Sequence, residues 1–176
     1  MLSTRSIYKN PWIKVREDKI IRQNGREGIF GVVDYGSGVS IVALDANKQI
    51  YLVKEYYYAI ERYGLQVPSG GIDKKETPLK AAKKELLEET GLKANRWVEL
   101  GFVNPLTMIL KSPAYLFLAF DLVREQKGEA DIVVVTMPFQ SAYQMVLDSK
   151  ITHAPSCVAI LKAKIYLDSS GKLNSV

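Results

Sequence analysis

The run GGIDKKETPLKAAKKELLEETGL, residues 70–92, writes both ends of one short helix into the chain. Thr77 suits the capping position, where a side-chain oxygen accepts from the open amides of a first turn. Pro78 suits the first helical position, and Gly91 suits the left-handed residue just past the end. At roughly 100° per residue, Glu85 and Glu89 share a face with Glu88 beside them, while Leu79, Ala82 and Leu86 form a different face to bury. The charges conflict with a plain surface helix. Like charges at i and i+4 cost about 0.2–0.5 kcal/mol, and each acid near the negative end of the helix dipole costs about 0.3–1 kcal/mol. Positive charge should compensate. Lys84 reaches Glu88 at i+4, and Lys80, Lys83 and Lys93 are near in sequence. A hard divalent cation answers so much oxygen charge better than lysines do, since Mg²⁺ binds through one or two carboxylates, waters and substrate phosphates.

Charge runs on helices are usually solvated faces, but here the flanks are equally specific. Gly70, Glu76, Glu85, Leu86, Glu88, Glu89, Gly91 and Leu92 fall in uninterrupted register with G-x5-E-x7-R-E-U-x-E-E-x-G-U, where U is a bulky aliphatic residue; eight of nine specified positions agree. The segment therefore resembles the Nudix box. The departure is Lys84, where the family has arginine; lysine keeps the charge and loses the planar fork. A second, gapped likeness narrows the group. Lys54-Glu55-Tyr56-Tyr57 and Val67-Pro68-Ser69-Gly70-Gly71-Ile72-Asp73 are similar to the VRQYR…ELPAGxID pattern of ADP-ribose and nucleotide-sugar pyrophosphatases. Gln66 stands where an acid is common, Ser69 where alanine is common, and Tyr57 where arginine often touches substrate. The likeness spans roughly residues 38 to 165.

The resemblance implies an α/β fold, a Nudix-type α/β/α sandwich with a mixed sheet, over residues 37–176, preceded by a small N-terminal β segment at 1–36 that pairs two chains into a homodimer. It implies Mg²⁺, with Mn²⁺ as a substitute, held by Glu85, Glu88, Glu89 and the main-chain carbonyl of Ser69. Lys84 would steady the carboxylates or reach a phosphate, and Glu76 would support the junction of loop and helix. A loop acid would help to activate water; the loop Arg124 to Asp131 offers Glu125, Glu129 and Asp131, of which Glu129 is selected. The implied reaction is hydrolysis of the pyrophosphate in a nucleoside diphosphate linked to a second group, ADP-ribose or a nucleotide sugar, giving a nucleoside monophosphate and a phosphorylated partner. Alternatives are a dinucleoside polyphosphate, modified nucleotide or RNA cap as substrate, a prenyl diphosphate isomerase, and a non-catalytic ligand-binding regulator on the same scaffold. Such regulators generally have lost box glutamates, and this chain keeps them.

Elsewhere the chain reads more coarsely. Trp12 to Ile21 alternates in part, Asn24-Gly25 offers a turn, and Gly28 to Tyr35 is apolar again. Val39 to Leu44 and Gln49 to Tyr56 read as a hairpin across Asp45-Ala46-Asn47-Lys48. Pro68 and the glycines after it read as a loop. Strands are expected at 97–103, 114–122 and 132–137, and helices at 139–149 and 155–167. Tyr56, Tyr57, Tyr58, Tyr63 and Phe30 are candidates to stack on a base, though aromatics beside strands are more often core. His153, the single histidine, reads as a surface residue near a helix start rather than a ligand or base. Cys157, the single cysteine, reads as a packed small hydrophobe and excludes an internal disulfide framework. Without histidine partners no nucleophilic triad can be built. A net charge of +5 with scattered basic residues fits an acidic small molecule as well as nucleic acid and decides little; the resemblance implies a small-molecule substrate, and nucleic acid is not expected as a partner. MLSTRSIYKN lacks an apolar leader core and no run approaches a membrane span, so a cytoplasmic protein is expected.

Overall fold

The computed structural model describes residues 1–173, with side chains through Ser169. Its body is a sheet built around strand β4 (Gly38–Leu44), which is buried on both faces and accordingly reads as a near-continuous apolar run. Alternation along β4 divides two cores. Val39, Ile41 and Ala43 face helix α1 (Pro78–Thr90) through Ala81, Ala82 and Leu86. Val42 and Leu44 face the opposite layer, where Phe139 and Ala142 of α2 (Phe139–Leu147) and Ala159, Ile160 and Ala163 of α3 (Ala154–Leu173) close the second core. Helices thus cover both faces of a mixed sheet, an α/β/α sandwich.

Around β4 the strand order is β11-β5-β4-β10-β8, formed by β5 (Gln49–Tyr57), β8 (Leu92–Val103), β10 (Ala114–Arg124) and β11 (Val133–Pro138). Only β4 and β10 run parallel; the other pairs are antiparallel. The hairpin from β4 to β5 is closed by Asp45, whose Oδ1 accepts from the amides of Asn47 and Gln49. Two short strands complete the sheet: β6 (Arg62–Gln66) pairs with β5, and β7 (Ser69–Gly71), expected as loop, pairs with β4 over Ser40↔Ser69 to Gly38↔Gly71. Pro68, between them, lacks an amide, and its carbonyl accepts from Ile41.

A second sheet stands apart. Its order is β1-β2-β3-β9, from β1 (Ser3–Lys9), β2 (Lys14–Ile21), β3 (Glu27–Asp34) and β9 (Leu110–Lys111). The first three strands are antiparallel, with Gly25 at φ +78° in the turn between β2 and β3. Its hydrogen-bonded tie to the rest is the parallel pairing Val33↔Leu110 and Asp34↔Lys111. The sheet buries little of its own apolar surface: Leu2, Ile7, Tyr8, Ile21, Ile29 and Phe30 are all exposed.

Candidate active site

Helix α1 begins and ends as its sequence dictates. Thr77 Oγ1 accepts from the Lys80 amide at 3.3 Å, and Gly91 sits at φ +72° with its amide on the Leu87 carbonyl. The buried side is Ala81, Ala82 and Leu86. Leu79 was expected on that side but is exposed, since Ala81 takes the place against β4. Ahead of the helix, Asp73 and Glu76 close a turn: the Glu76 amide donates to the Asp73 carbonyl at 3.0 Å, and the Asp73 amide donates to Glu76 Oε2 at 3.4 Å.

The carboxylates lie against β7. Glu89 is 7% exposed, and its Oε2 accepts from the Ser69 amide at 3.1 Å. Gly70 is packed on Glu85 so closely that a Cβ there would fall 2.2–2.5 Å from the carboxylate atoms. Burial pushes the Glu89 carboxyl from its ordinary 4.5 up to about 8; the Ser69 amide opposes this, and Glu85, Glu55 and Glu129 reinforce it. Burial likewise raises Glu85, against the pull of Lys84 and with help from Glu88, Glu129 and Glu76. Glu88 is half-buried beside them.

Lys84 does not reach Glu88 as the i+4 spacing suggested. Its Nζ turns back along the chain to Asp73 Oδ2 at 3.2 Å and stands 4.0 Å from Glu85 Oε1. The Asp73 carboxylate, presented by the turn before the helix, is the nearer partner, and its hydrogen bond raises the lysine pKa.

The loop after β10 is fastened to the far end of α1. The amides of Glu125 and Gln126 donate to the Gly91 carbonyl, and the Glu129 amide donates to the Glu88 carbonyl at 2.9 Å. These bonds satisfy carbonyls that a helix end leaves open. Clearance is small: a Cβ on Gly91 would lie 2.2 Å from the Gln126 carbonyl oxygen, and one on Gly128 would lie 2.7 Å from that of Glu89. Glu129 is therefore brought close enough to raise both Glu85 and Glu89, with its own side chain exposed. Glu125 turns away to pair with Lys93.

Beside the acids is a cavity of about 690 Å³. None of the three glutamates lines it; acid cluster and cavity meet at the ridge Ser69–Gly71. Trp12 and Tyr35 enter from the side of the second sheet, with Leu110 of β9. Tyr57 and Ile60 enter from the end of β5 and the turn after it, and Thr152 and His153 from the segment before α3. Of the aromatics that were candidates to stack on a base, Tyr57 lines the cavity, whereas Tyr56, Tyr58, Tyr63 and Phe30 do not. Trp12 and Tyr35 were missed, because nothing local in sequence links them to residue 70. His153 is no surface residue: it is half-buried in the cavity wall, and burial lowers its pKa. Cys157 packs as expected, its thiol on the Ile151 carbonyl at 3.2 Å.

Among the described residues no three Asp, Glu, His or Cys side chains already converge as a metal cage. The chemistry of the donors nonetheless fits a hard divalent cation. All are oxygens, Glu89 has no lysine or arginine paired with it among the described residues, and its charge is held off by a proton that a cation can replace.

Comparison with known proteins agrees with this arrangement. Residues 34–145 match the NUDIX domain model, and residues 1–33 match the nucleoside diphosphate sugar hydrolase N-terminal domain. The chain is 25% identical to the ADP-ribose pyrophosphatase of Bacillus subtilis (strain 168) over 170 residues, covering 90% of this chain and 89% of that one. It is 27% identical to the ADP-ribose pyrophosphatase of Mycobacterium tuberculosis over 167 residues, covering 91% and 80%. A crystal structure of an ADP compounds hydrolase superposes with a TM-score of 0.85 at 22% identity over 97% and 94% of the two chains, a likeness of fold. With the box glutamates on α1 and a family match over most of its length, the chain belongs to the Nudix family of pyrophosphohydrolases.

Proposed function

We propose that the protein is a Mg²⁺-dependent hydrolase of ADP-ribose or a closely related nucleoside diphosphate sugar, releasing a nucleoside monophosphate and a sugar phosphate. The observation that carries this reading is the buried, charge-suppressed Glu89 hydrogen-bonded to Ser69, on the ridge that borders a cavity of about 690 Å³. That volume lies within the range of about 300–1,000 Å³ that small-molecule sites occupy. The ADP-ribose pyrophosphatases above, similar over nine-tenths of this chain, support the substrate class.

Glu85, Glu88, Glu89 and the Ser69 carbonyl would hold Mg²⁺, or Mn²⁺ in its place. Bound there, the ion neutralises pyrophosphate charge and activates a water. The chain's own part is positional. Gly70 leaves room for the Glu85 carboxylate, the Ser69 amide orients Glu89, and Lys84 ties the helix to the Asp73 turn. Glu129, docked by its amide on Glu88, takes the proton of the attacking water. The rings of Trp12 and Tyr35 offer faces to a nucleobase. A hydrolysis screen with Mg²⁺ over ADP-ribose, nucleotide sugars, dinucleoside polyphosphates and nucleoside triphosphates, with products identified, tests the reading. Preference for a triphosphate or a dinucleoside polyphosphate overturns it.

The second sheet supports a homodimer. Its exposed Leu2, Ile7, Ile21, Ile29 and Phe30 are apolar side chains that a second copy can cover. Sedimentation should give twice the 19.7 kDa chain mass, and Ile29→Glu should return it to one. A monomeric wild type sinks this part.

A further inference from the structure

We propose that His153 is a specificity-determining residue, an imidazole donor in the cavity wall just before α3 that holds an oxygen of the substrate's second, sugar-phosphate half. This rests on the substrate class proposed above.

The ring is fixed from behind. Its Nδ1 is 2.8 Å from Ser156 Oγ, and that hydroxyl, fully buried, already accepts from the Val67 amide at 3.0 Å. Among the described residues the hydroxyl proton has no acceptor other than Nδ1, and a buried hydroxyl left without one is costly, so it donates to Nδ1. The network thus assigns the neutral tautomer with its proton on Nε2. Nε2 has no protein partner among the described residues. Among the described residues no buried side-chain nitrogen or oxygen lacks a partner, so this atom is accessible to solvent where His153 lines the cavity. The Tyr57 ring, with centroids 6.4 Å apart and planes at 36°, limits rotation on another side.

The surroundings select the class of group bound. Arg62 Nη2 donates to Thr152 Oγ1 at 3.2 Å, and Arg62 has no carboxylate within ion-pair distance among the described residues. An imidazole N–H, a threonine hydroxyl and a nearby guanidinium suit oxygen acceptors of a ribose or phosphate rather than a flat apolar base. The Tyr35 amide donates to the carbonyl of Lys111, just before β10, whereas Ser156, the partner of His153, accepts from the amide of Val67, just before β7; β10 and β7 pair with opposite edges of β4. A substrate whose pyrophosphate lies at the ridge and whose base meets the aromatic wall delivers its second half to His153.

The test compares wild type with His153→Phe, which keeps a ring against Tyr57 but has no donor, and His153→Gln, which restores an N–H near the position of Nε2. Steady-state kinetics on ADP-ribose, inhibition by AMP and thermal melting are measured for each. Loss of one such hydrogen bond should raise KM about tenfold in the Phe variant, with kcat within about twofold of wild type. Gln should recover part of the loss, and the AMP inhibition constant should not move. If wild type fails to hydrolyse ADP-ribose, the substrate reading falls by itself, and the variants are compared on the best substrate of the screen, with its nucleoside monophosphate as inhibitor. Three outcomes overturn the proposal: a wild-type KM in His153→Phe, a rise in KM that Gln does not relieve, or an equal weakening of the nucleoside monophosphate. A fall in melting temperature with KM unchanged assigns His153 to packing alone, and overturns it too.

Discussion

Gly70 and Glu85 are in mutual contact at the limit of what two residues can share: any Cβ at position 70 would lie within 2.2–2.5 Å of the Glu85 carboxylate. The glycine leaves the room this carboxylate occupies, with no demand on its backbone angles. Gly70→Ala should leave the fold intact, displace the Glu85 carboxylate, and lower kcat by about 10²-fold, the usual cost of misplacing a reacting group by an ångström. Turnover within a few-fold of wild type would show that Glu85 acts from another position.

Glu85→Gln and Glu89→Gln should each lower kcat by at least about 10²-fold, since each removes a charged oxygen from the cation site. Mg²⁺ should raise the melting temperature of wild type by mass action and do less for the double variant. Equal shifts in both proteins would place the stabilising cation elsewhere.

The raised Glu89 pKa fixes a pH dependence. Its folded value, about 8, lies above its ordinary 4.5, so between these two the folded chain holds a proton that the unfolded chain has lost. Stability from this group is complete below the lower value and is lost as pH rises through the upper one. Without divalent cations the melting temperature should fall from about pH 5 to pH 8, and Glu89→Gln should flatten the slope. An unchanged slope in that variant would assign the effect to other groups.

Lys84 distinguishes two roles. Its nearer partner is Asp73, so Lys84→Ala should loosen the turn before α1 and lower kcat, while Lys84→Arg should keep or raise activity through a two-pronged contact with Asp73 and Glu85. Wild-type kinetics in Lys84→Ala would leave this lysine as ordinary surface charge.

Gly91→Ala combines a φ of +72° with a Cβ 2.2 Å from the Gln126 carbonyl oxygen. Backbone strain of this kind costs about 1–3 kcal/mol, several degrees in melting temperature. Activity at a permissive temperature should fall as well, because the displaced loop carries Glu129.

The parts of this molecule that sequence revealed are those whose cause is local. Thr77, Pro78 and Gly91 bound α1 by capping geometry, and β4 announces itself by burial on both faces. What stayed hidden depends on partners distant in the chain. β7 reads as a loop because Pro68 and two glycines precede or fill it, yet its pairing comes from β4, some 30 residues earlier. Lys84 has an attractive partner at i+4, and only the folded turn shows that Asp73 lies closer. Trp12, Tyr35 and His153 meet in one cavity from three parts of the chain, and no periodicity signals that.

The cavity's walls and the acid cluster are drawn from different elements, sharing only Ser69–Gly71. Substitutions at Trp12, Tyr35, Thr152 or His153 should therefore alter which molecule is admitted without moving Glu85, Glu88 or Glu89. Heritable change in diet can accumulate on one side of the ridge while the bond-breaking apparatus on the other is inherited untouched. A lineage built this way can change its walls and keep its chemistry.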